Sequence, residues 1–150
     1  MANKATEQLA QYRDILNYEA AVKAVELPLK FSGQEAEFVI PSIALGPEGP
    51  RIVSLVLLTK EYLSEIRLDV PGMYFDYAYL LSIENIRFVL NEQKIERQGE
   101  SPLLYSIAQV VLTHRFNTNT VLTYAGRNRD AWLDHLLRAL PLSLLVRSHE

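Results

Sequence analysis

The runs VVLTHRF (110–116) and VLTY (121–124) flank the turn-forming segment NTNT (117–120), a pattern that predicts a β-hairpin. The hairpin leads directly into a helix predicted over 129–140. At 100° per residue, five apolar side chains of this helix fall within about 140° of arc. They are Trp132, Leu133, Leu136, Leu137 and Leu140. Because such a stripe must be buried, we expect the helix to plug or cover the open end of a small β-barrel.

Composition narrows the class of protein. A chain of 150 residues is most simply one domain that buries roughly two thirds of its unfolded surface. The net charge of -3 disfavours a nucleic-acid binder, which usually shows a basic surplus. The chain contains no cysteine, which excludes disulfides, thiolate zinc sites and cysteine nucleophiles. We see no signal-peptide core and no apolar run approaching the roughly 20 residues that span a bilayer, and we therefore predict a soluble, cytoplasmic protein.

The order of segments predicts an α+β fold that is mainly antiparallel β. A helix is predicted from a Thr6 cap to about residue 24. Strand-like runs and two loops follow, and the loops are 41–50, with three prolines and two glycines, and 92–102. The predicted strands are 27–31, 36–40, 51–59, 66–70, 75–79, 86–90 and the final hairpin. We divide the chain into an N-terminal helix (1–25), a barrel with its C-terminal helix (26–140) and an apolar tail (141–150).

Three stretches resemble the pleckstrin-homology superfold, in its bacterial and GRAM-like branch: LVLLTKEYL (55–63), YLLSIENIRFV (79–89), and 124–140 with Trp132 in the helix. The resemblance covers about residues 51–140 and implies a seven-stranded barrel capped by an amphipathic helix, here with an additional N-terminal helix. Members that bind phosphoinositides use clustered cations near the first hairpin. The corresponding stretch here offers Lys30 alone, beside Glu35 and Glu37. A lipid-binding role is therefore the alternative and not the favoured interpretation.

No catalytic motif or metal-ligand spacing is present. The three histidines, at 114, 135 and 149, are too scattered for a metal motif. We interpret His114 as a partly buried, hydrogen-bonded side chain and His135 as solvated on the polar side of the last helix. The chain lacks nucleophile-elbow and phosphate-loop patterns. We therefore predict no catalytic residues, no metal and no cofactor.

Three candidates for binding remain. Arg127 and Arg129 flank Asn128 at the start of the last helix, where they could attract an anion; the alternative is that Asn128 caps the helix and both arginines are solvated. Tyr77 and Tyr79 would either pack in the core or line a recognition surface. The apolar tail presents Leu142, Leu144 and Leu145, which either pack on the barrel or form an interface.

We therefore predict a non-catalytic protein-interaction or scaffolding module that self-associates through its termini or an edge strand. Its partner would be another protein or a second copy, with no nucleic acid and no small-molecule substrate. The alternative is a membrane-surface adaptor for anionic headgroups. A third interpretation is a small enzyme with a cleft formed by the loops 41–50 and 92–102.

Overall fold

The computed structural model describes residues 4–25, 37–59, 62–68, 74–79, 83–115 and 118–140, with side chains for all of these except residues 4–6 and 74–79. The helices are α1 (Lys4–Leu9), α2 (Tyr18–Ala24) and α3 (Arg129–Ala139), and a 3-10 turn (Ala10–Tyr12) follows α1. The strands are β1 (Phe38–Gly46), β2 (Gly49–Leu58), β3 (Tyr62–Arg67), β4 (Tyr74–Tyr79), β5 (Ile83–Ile95), β6 (Leu103–His114) and β7 (Asn119–Gly126). The described chain is therefore α+β and mainly antiparallel, as predicted.

The strands form two antiparallel sheets with the orders β1-β2-β3-β4 and β5-β6-β7. The sheets meet where β1 lies beside β7. At this seam the Thr123 N–H donates to the Ser42 hydroxyl over 3.2 Å, opposite a bulge at Val53 of β2. Among the described strands, no ladder of backbone hydrogen bonds joins the two sheets into one closed barrel.

The prediction of a loop over 41–50 is wrong. Residues up to Gly46 belong to β1, and β2 begins at Gly49, so the turn between them holds only Pro47 and Glu48. Gly49 has a φ of 114°, a conformation that glycine adopts without strain. Pro41 is compatible with β1 because this strand lies at a sheet edge, where a residue can lack an N–H on its outer side.

The predicted loop 92–102 is also shorter than expected. Ladder pairing continues from Glu92 to Ile95, which lies opposite Leu103. Polar side chains did not end the strand, because this part of the hairpin is exposed and requires no apolar face. The predicted strand at 27–31 lies outside the described residues, as does the first part of the strand predicted at 36–40.

The prediction of a single helix from Thr6 to about residue 24 is likewise wrong. Residues 13–17 leave the helical path, and the Ile52 N–H donates to the Leu16 carbonyl over 3.0 Å. Asn17 then adopts a left-handed φ of 73°, and its side-chain amide donates to the Ile52 carbonyl over 3.2 Å. Bonding to β2 therefore outweighs the helical preference of this segment. Both helices and the 3-10 turn between them contribute to the core, through Leu9, Tyr12, Ala21 and Ala24.

Helix α3 closes this core as the apolar stripe predicted. Trp132 is 1% exposed, stacks on Tyr124 at 5.5 Å between ring centres, and donates its indole N–H to the Pro41 carbonyl over 2.8 Å. Leu136 and Leu140 are buried as well. Leu137, the outermost member of the stripe, is exposed, so the buried arc is narrower than the predicted one.

Candidate interaction surface

Strand β5 lies at the edge of the three-stranded sheet and carries three consecutive exposed apolar side chains. Phe88 is 40% exposed, Val89 43% and Leu90 52%, whereas Ile86 is buried. Phe88 lies opposite Val110, and Leu90 lies opposite Ala108. Because Val110 and Ala108 are both buried, Phe88 and Leu90 lie on the core-facing side of the sheet. Since strand side chains alternate, Val89 points to the other side. This edge therefore exposes apolar surface on both of its faces.

The edge of β1 differs because side chains occupy its backbone groups. The Gln8 side chain donates to the Glu37 carbonyl over 2.5 Å and accepts from the Val39 N–H over 2.8 Å. Further along, the seam with β7 covers the same edge. No described strand pairs with the outer edge of β5. Every second residue of such an edge points its N–H and C=O away from the sheet, and these groups template the addition of another strand.

The far end of the β5–β6 hairpin extends beyond β7. β5 and β6 pair as far as Ile95 and Leu103, but β7 reaches only Ser106. Leu104 on this extension is 56% exposed. At the tip, Arg97 pairs with Glu100 at 2.7 Å and donates to the Ser101 carbonyl. The tip is thus closed by its own contacts, while the strands behind it stay open to solvent.

Arg127 and Arg129, the predicted anion site, point to different surroundings. The Arg127 guanidinium lies 6.0 Å from the centre of the Tyr105 ring. Arg129 donates from one Nη to the carbonyls of Asn91 over 2.8 Å and Ile107 over 3.2 Å. Asn128 occupies the N-cap position without a side-chain cap, and its N–H donates to the Tyr124 hydroxyl. Arg129 therefore ties α3 to the middle of the β5–β6 pair.

The two segments predicted to build a cleft do approach each other, but only through their tips. An open groove of about 250 Å³ is lined by Leu45 to Gly49 on one side and by Ile95, Arg97, Leu103 and Tyr105 on the other. The ionisable residues that line this groove are Glu48, Arg97 and Tyr105. Of these, Arg97 already forms an ion pair with Glu100. The groove brings no acid–base pair within hydrogen-bond distance among the described side chains.

The expectation that His135 is solvated is wrong. Its Nε2 lies 3.2 Å from the Gln8 side-chain oxygen, and its Nδ1 lies 3.0 Å from the Tyr12 hydroxyl and 3.2 Å from the Gln11 amide. The neutral ring fits this set, because Nε2–H donates to Gln8 while Nδ1 accepts from the other two. His135 joins α3 to the N-terminal segment, which sequence spacing alone could not bring together.

Burial governs the ionisation of this cluster. It lowers the pKa of His135; the Arg138 guanidinium acts in the same direction and the Asp134 carboxylate in the opposite one. Burial also raises the pKa of the Tyr12 hydroxyl well above its usual value. Both groups are therefore neutral near pH 7. The other buried histidine, His114, bonds the Thr120 hydroxyl over 2.8 Å, in agreement with the interpretation from sequence.

The remaining predicted candidates lie partly or wholly outside the described part of the structure. Tyr77 and Tyr79 lie in β4, opposite Ser64 and Tyr62, but their side chains are not among those described. Leu142, Leu144 and Leu145 lie outside the described residues. Sequence analysis missed the β5 surface because Ile86, Phe88 and Leu90 alternate as they would in a half-buried strand. The signal available was the polar run 91–94, which indicates that this strand leaves the core.

Comparison with models of protein families, with curated proteins and with solved structures found no match for this chain. Within the described part of the chain, no helix has both the length and the apolar character needed to cross a membrane. The described side chains likewise contain no cluster of three or more histidine, cysteine or acidic groups arranged to hold a metal ion.

Proposed function

We propose that this chain is a non-catalytic protein-interaction module of PH-like fold, which binds an extended partner segment along β5. The observation that carries the proposal is the run Phe88 to Leu90, exposed on an edge strand whose outer side pairs with no described strand. Natural proteins usually cover or charge such an edge, since it otherwise recruits another strand. Strand addition of this kind takes affinity from main-chain hydrogen bonds and specificity from alternate side chains.

The PH-like part of the proposal is supported by the order of elements. A four-stranded antiparallel sheet precedes a three-stranded one, and a helix with a buried tryptophan follows the last strand. This order agrees with the resemblance over residues 51–140. Fold alone does not specify a ligand, so the functional proposal depends on the β5 surface.

A selection of phage-displayed random peptides against the full chain tests the proposal. We expect enriched peptides with alternating apolar residues, because a strand added to β5 places every second side chain on the same face. Leu90→Lys should weaken their binding at least tenfold, since a lysine on an edge strand opposes pairing.

The matched control is Leu104→Lys. Leu104 is as exposed as Leu90, but it lies on β6, on the side of β5 opposite to the outer edge that the partner would occupy. Binding by this variant should stay within about twofold of the parent chain. Failure to enrich any peptide, or equal loss of binding in both variants, would contradict the proposal.

A further inference from the structure

We propose that the segment bound along β5 is acidic at one position, where a glutamate or aspartate side chain pairs with Arg87. The pair would form on the face of the sheet that is turned away from the core. The inference rests on the proposed function and names the chemistry of the partner, which is a protein segment that combines apolar residues with one carboxylate.

Arg87 lines an open groove on this outer face of the three-stranded sheet. The groove has a volume of about 300 Å³, and its other lining residues are Asn85, Val111, Thr113 and Asn119. Asn85, Thr113 and Asn119 are partners across the three strands, and Arg87 lies in the next row, opposite Val111. The small valine leaves room between the two rows. The groove therefore begins at the open edge of β5 and crosses the sheet.

The residues that line the groove include one cation and no acid. Their polar groups are a guanidinium, two amides and a hydroxyl, and each of these can donate a hydrogen bond. Within the described part of the chain, Arg87 is exposed and forms no ion pair. The carboxylate of Glu84 lies 3.8 Å from Arg115 instead. A carboxylate complements this groove because it only accepts hydrogen bonds and can pair with a guanidinium in bidentate fashion.

The hydrogen-bond pattern of β6 indicates which groups of β5 face the open edge. The His114 N–H donates to the Thr118 carbonyl over 2.7 Å, on the side of β7. Because successive residues of an antiparallel strand turn their backbone groups to opposite sides, Val111 bonds toward β5, where its partner is Arg87. The backbone groups of Phe88 therefore face the edge. An added strand bonds to these groups and forms a non-hydrogen-bonded pair with Arg87, in which opposite side chains lie closest.

This geometry predicts the order of residues in the partner. In an antiparallel ladder, the more stable kind, partner residues from the N-terminus onward lie opposite Leu90, Val89, Phe88 and Arg87. Leu90 and Phe88 expose apolar surface on the core-facing side, so the first and third partner residues should be apolar. The fourth lies opposite Arg87 and should be acidic, since apolar pairs and opposite charges across strands are favourable.

Charge exchange with the selected peptides tests the inference. We expect glutamate or aspartate directly after the pattern of two apolar residues separated by one position. Arg87→Glu should weaken the binding of such a peptide about tenfold, because like charges then lie opposite each other. A peptide with lysine in place of its acid should bind the parent chain about tenfold more weakly and should recover its affinity with Arg87→Glu. Fluorescence anisotropy of labelled peptides measures all four affinities.

The matched control is Arg13→Glu, which changes the net charge by the same amount. Arg13 is exposed and lies between the 3-10 turn and α2, in a segment that contacts β2 of the other sheet. At an ionic strength of about 0.15 M, distant surface charges are largely screened. This variant should therefore bind the acidic peptide within about twofold of the parent chain. An equal loss in both variants would show a general effect of charge and would contradict the pairing with Arg87.

Other outcomes overturn the inference in distinguishable ways. Selected apolar peptides that carry no acid and bind Arg87→Glu as tightly as the parent chain contradict the inference but leave the proposed function standing. Acidic peptides that Leu90→Lys does not weaken bind away from the edge and contradict both proposals. If no peptide is enriched, both proposals also fail. A parent chain that dimerises without peptide, and that Leu90→Lys makes monomeric, would have a second copy and not an acidic segment as its partner.

Discussion

Single side chains satisfy backbone groups along the outer edge of β1 and on the neighbouring β7. Trp132 donates to the Pro41 carbonyl, Ser42 accepts from Thr123, and Gln8 bonds both Glu37 and Val39. A buried backbone group without a partner costs about 1–3 kcal/mol. These contacts therefore explain how a strand that contains proline and faces a bulge in its neighbour remains ordered beside the core.

The Tyr124 ring depends on a glycine two residues later. A Cβ at Gly126 would lie 2.5 Å from the Tyr124 hydroxyl and 2.8 Å from the adjoining ring carbon. The ring cannot move aside easily because it stacks on Trp132 and accepts from the Asn128 N–H. We expect Gly126→Ala to lower the free energy of unfolding by about 1–3 kcal/mol, measured by urea denaturation. Gly46→Ala is the control, since its new Cβ would meet no atom closer than 3.6 Å; equal losses would contradict this packing.

Stability should depend on pH through His135. Its pKa is lowered in the folded state, so the unfolded chain binds the proton more tightly, and the contribution of the neutral ring is lost as pH falls below about 6.5. Protonated Nδ1 would also face the donor amide of Gln11. Between pH 7.5 and 5.5 the melting temperature of the parent chain should fall more than that of His135→Gln, which does not titrate. Parallel pH profiles would show that this histidine does not couple to folding.

At the level of elements, the N-terminal segment joins β1 to α3, and we call the contacts of Gln8 with both of them the clasp. Gln8 contacts the β1 backbone and His135 at once, whereas the exposed Gln11 contacts only α3 and its own turn. The N-terminal segment therefore covers the outer edge of β1. Among strands with described side chains, β5 keeps an outer edge that pairs with no described strand.

A pair of glutamine variants tests the clasp. Gln8→Ala should cost about 1–3 kcal/mol of unfolding free energy, because it leaves the Val39 N–H and the Glu37 carbonyl without their partner. Gln11→Ala should cost less than about 0.5 kcal/mol, as expected at an exposed site. Chemical denaturation measures both values, and a similar loss in the two variants would rule out the clasp.

Elements with a strong local pattern were predictable, and those decided by distant contacts were not. The stripe containing Trp132 predicted α3 and its burial, and the run 51–59, apolar on both faces, predicted β2. The prolines at 41, 47 and 50 suggested a loop because sequence does not reveal which strand lies at an edge. The break at Asn17 and the contacts of His135 arise from residues far apart in the chain, which periodicity cannot place together.

For the molecule as a whole, the two sheets differ in how their edges are used. β1 and β7 lie against each other, and α3 packs over their seam through Trp132. The apolar surface left on the described chain is then concentrated on the β5–β6 hairpin, from Phe88 to Leu104. This distribution of apolar surface supports the proposed binding of a partner segment along β5.

Amide hydrogen exchange of the full chain with and without a selected peptide tests the β5 edge most directly. We predict that, on peptide binding, every second amide between Asn85 and Lys94 gains protection while β2 and β6 are unchanged, because only the outward-facing groups of β5 acquire partners. Protection of β5 that is complete without the peptide, or that never rises when the peptide is added, would contradict the account.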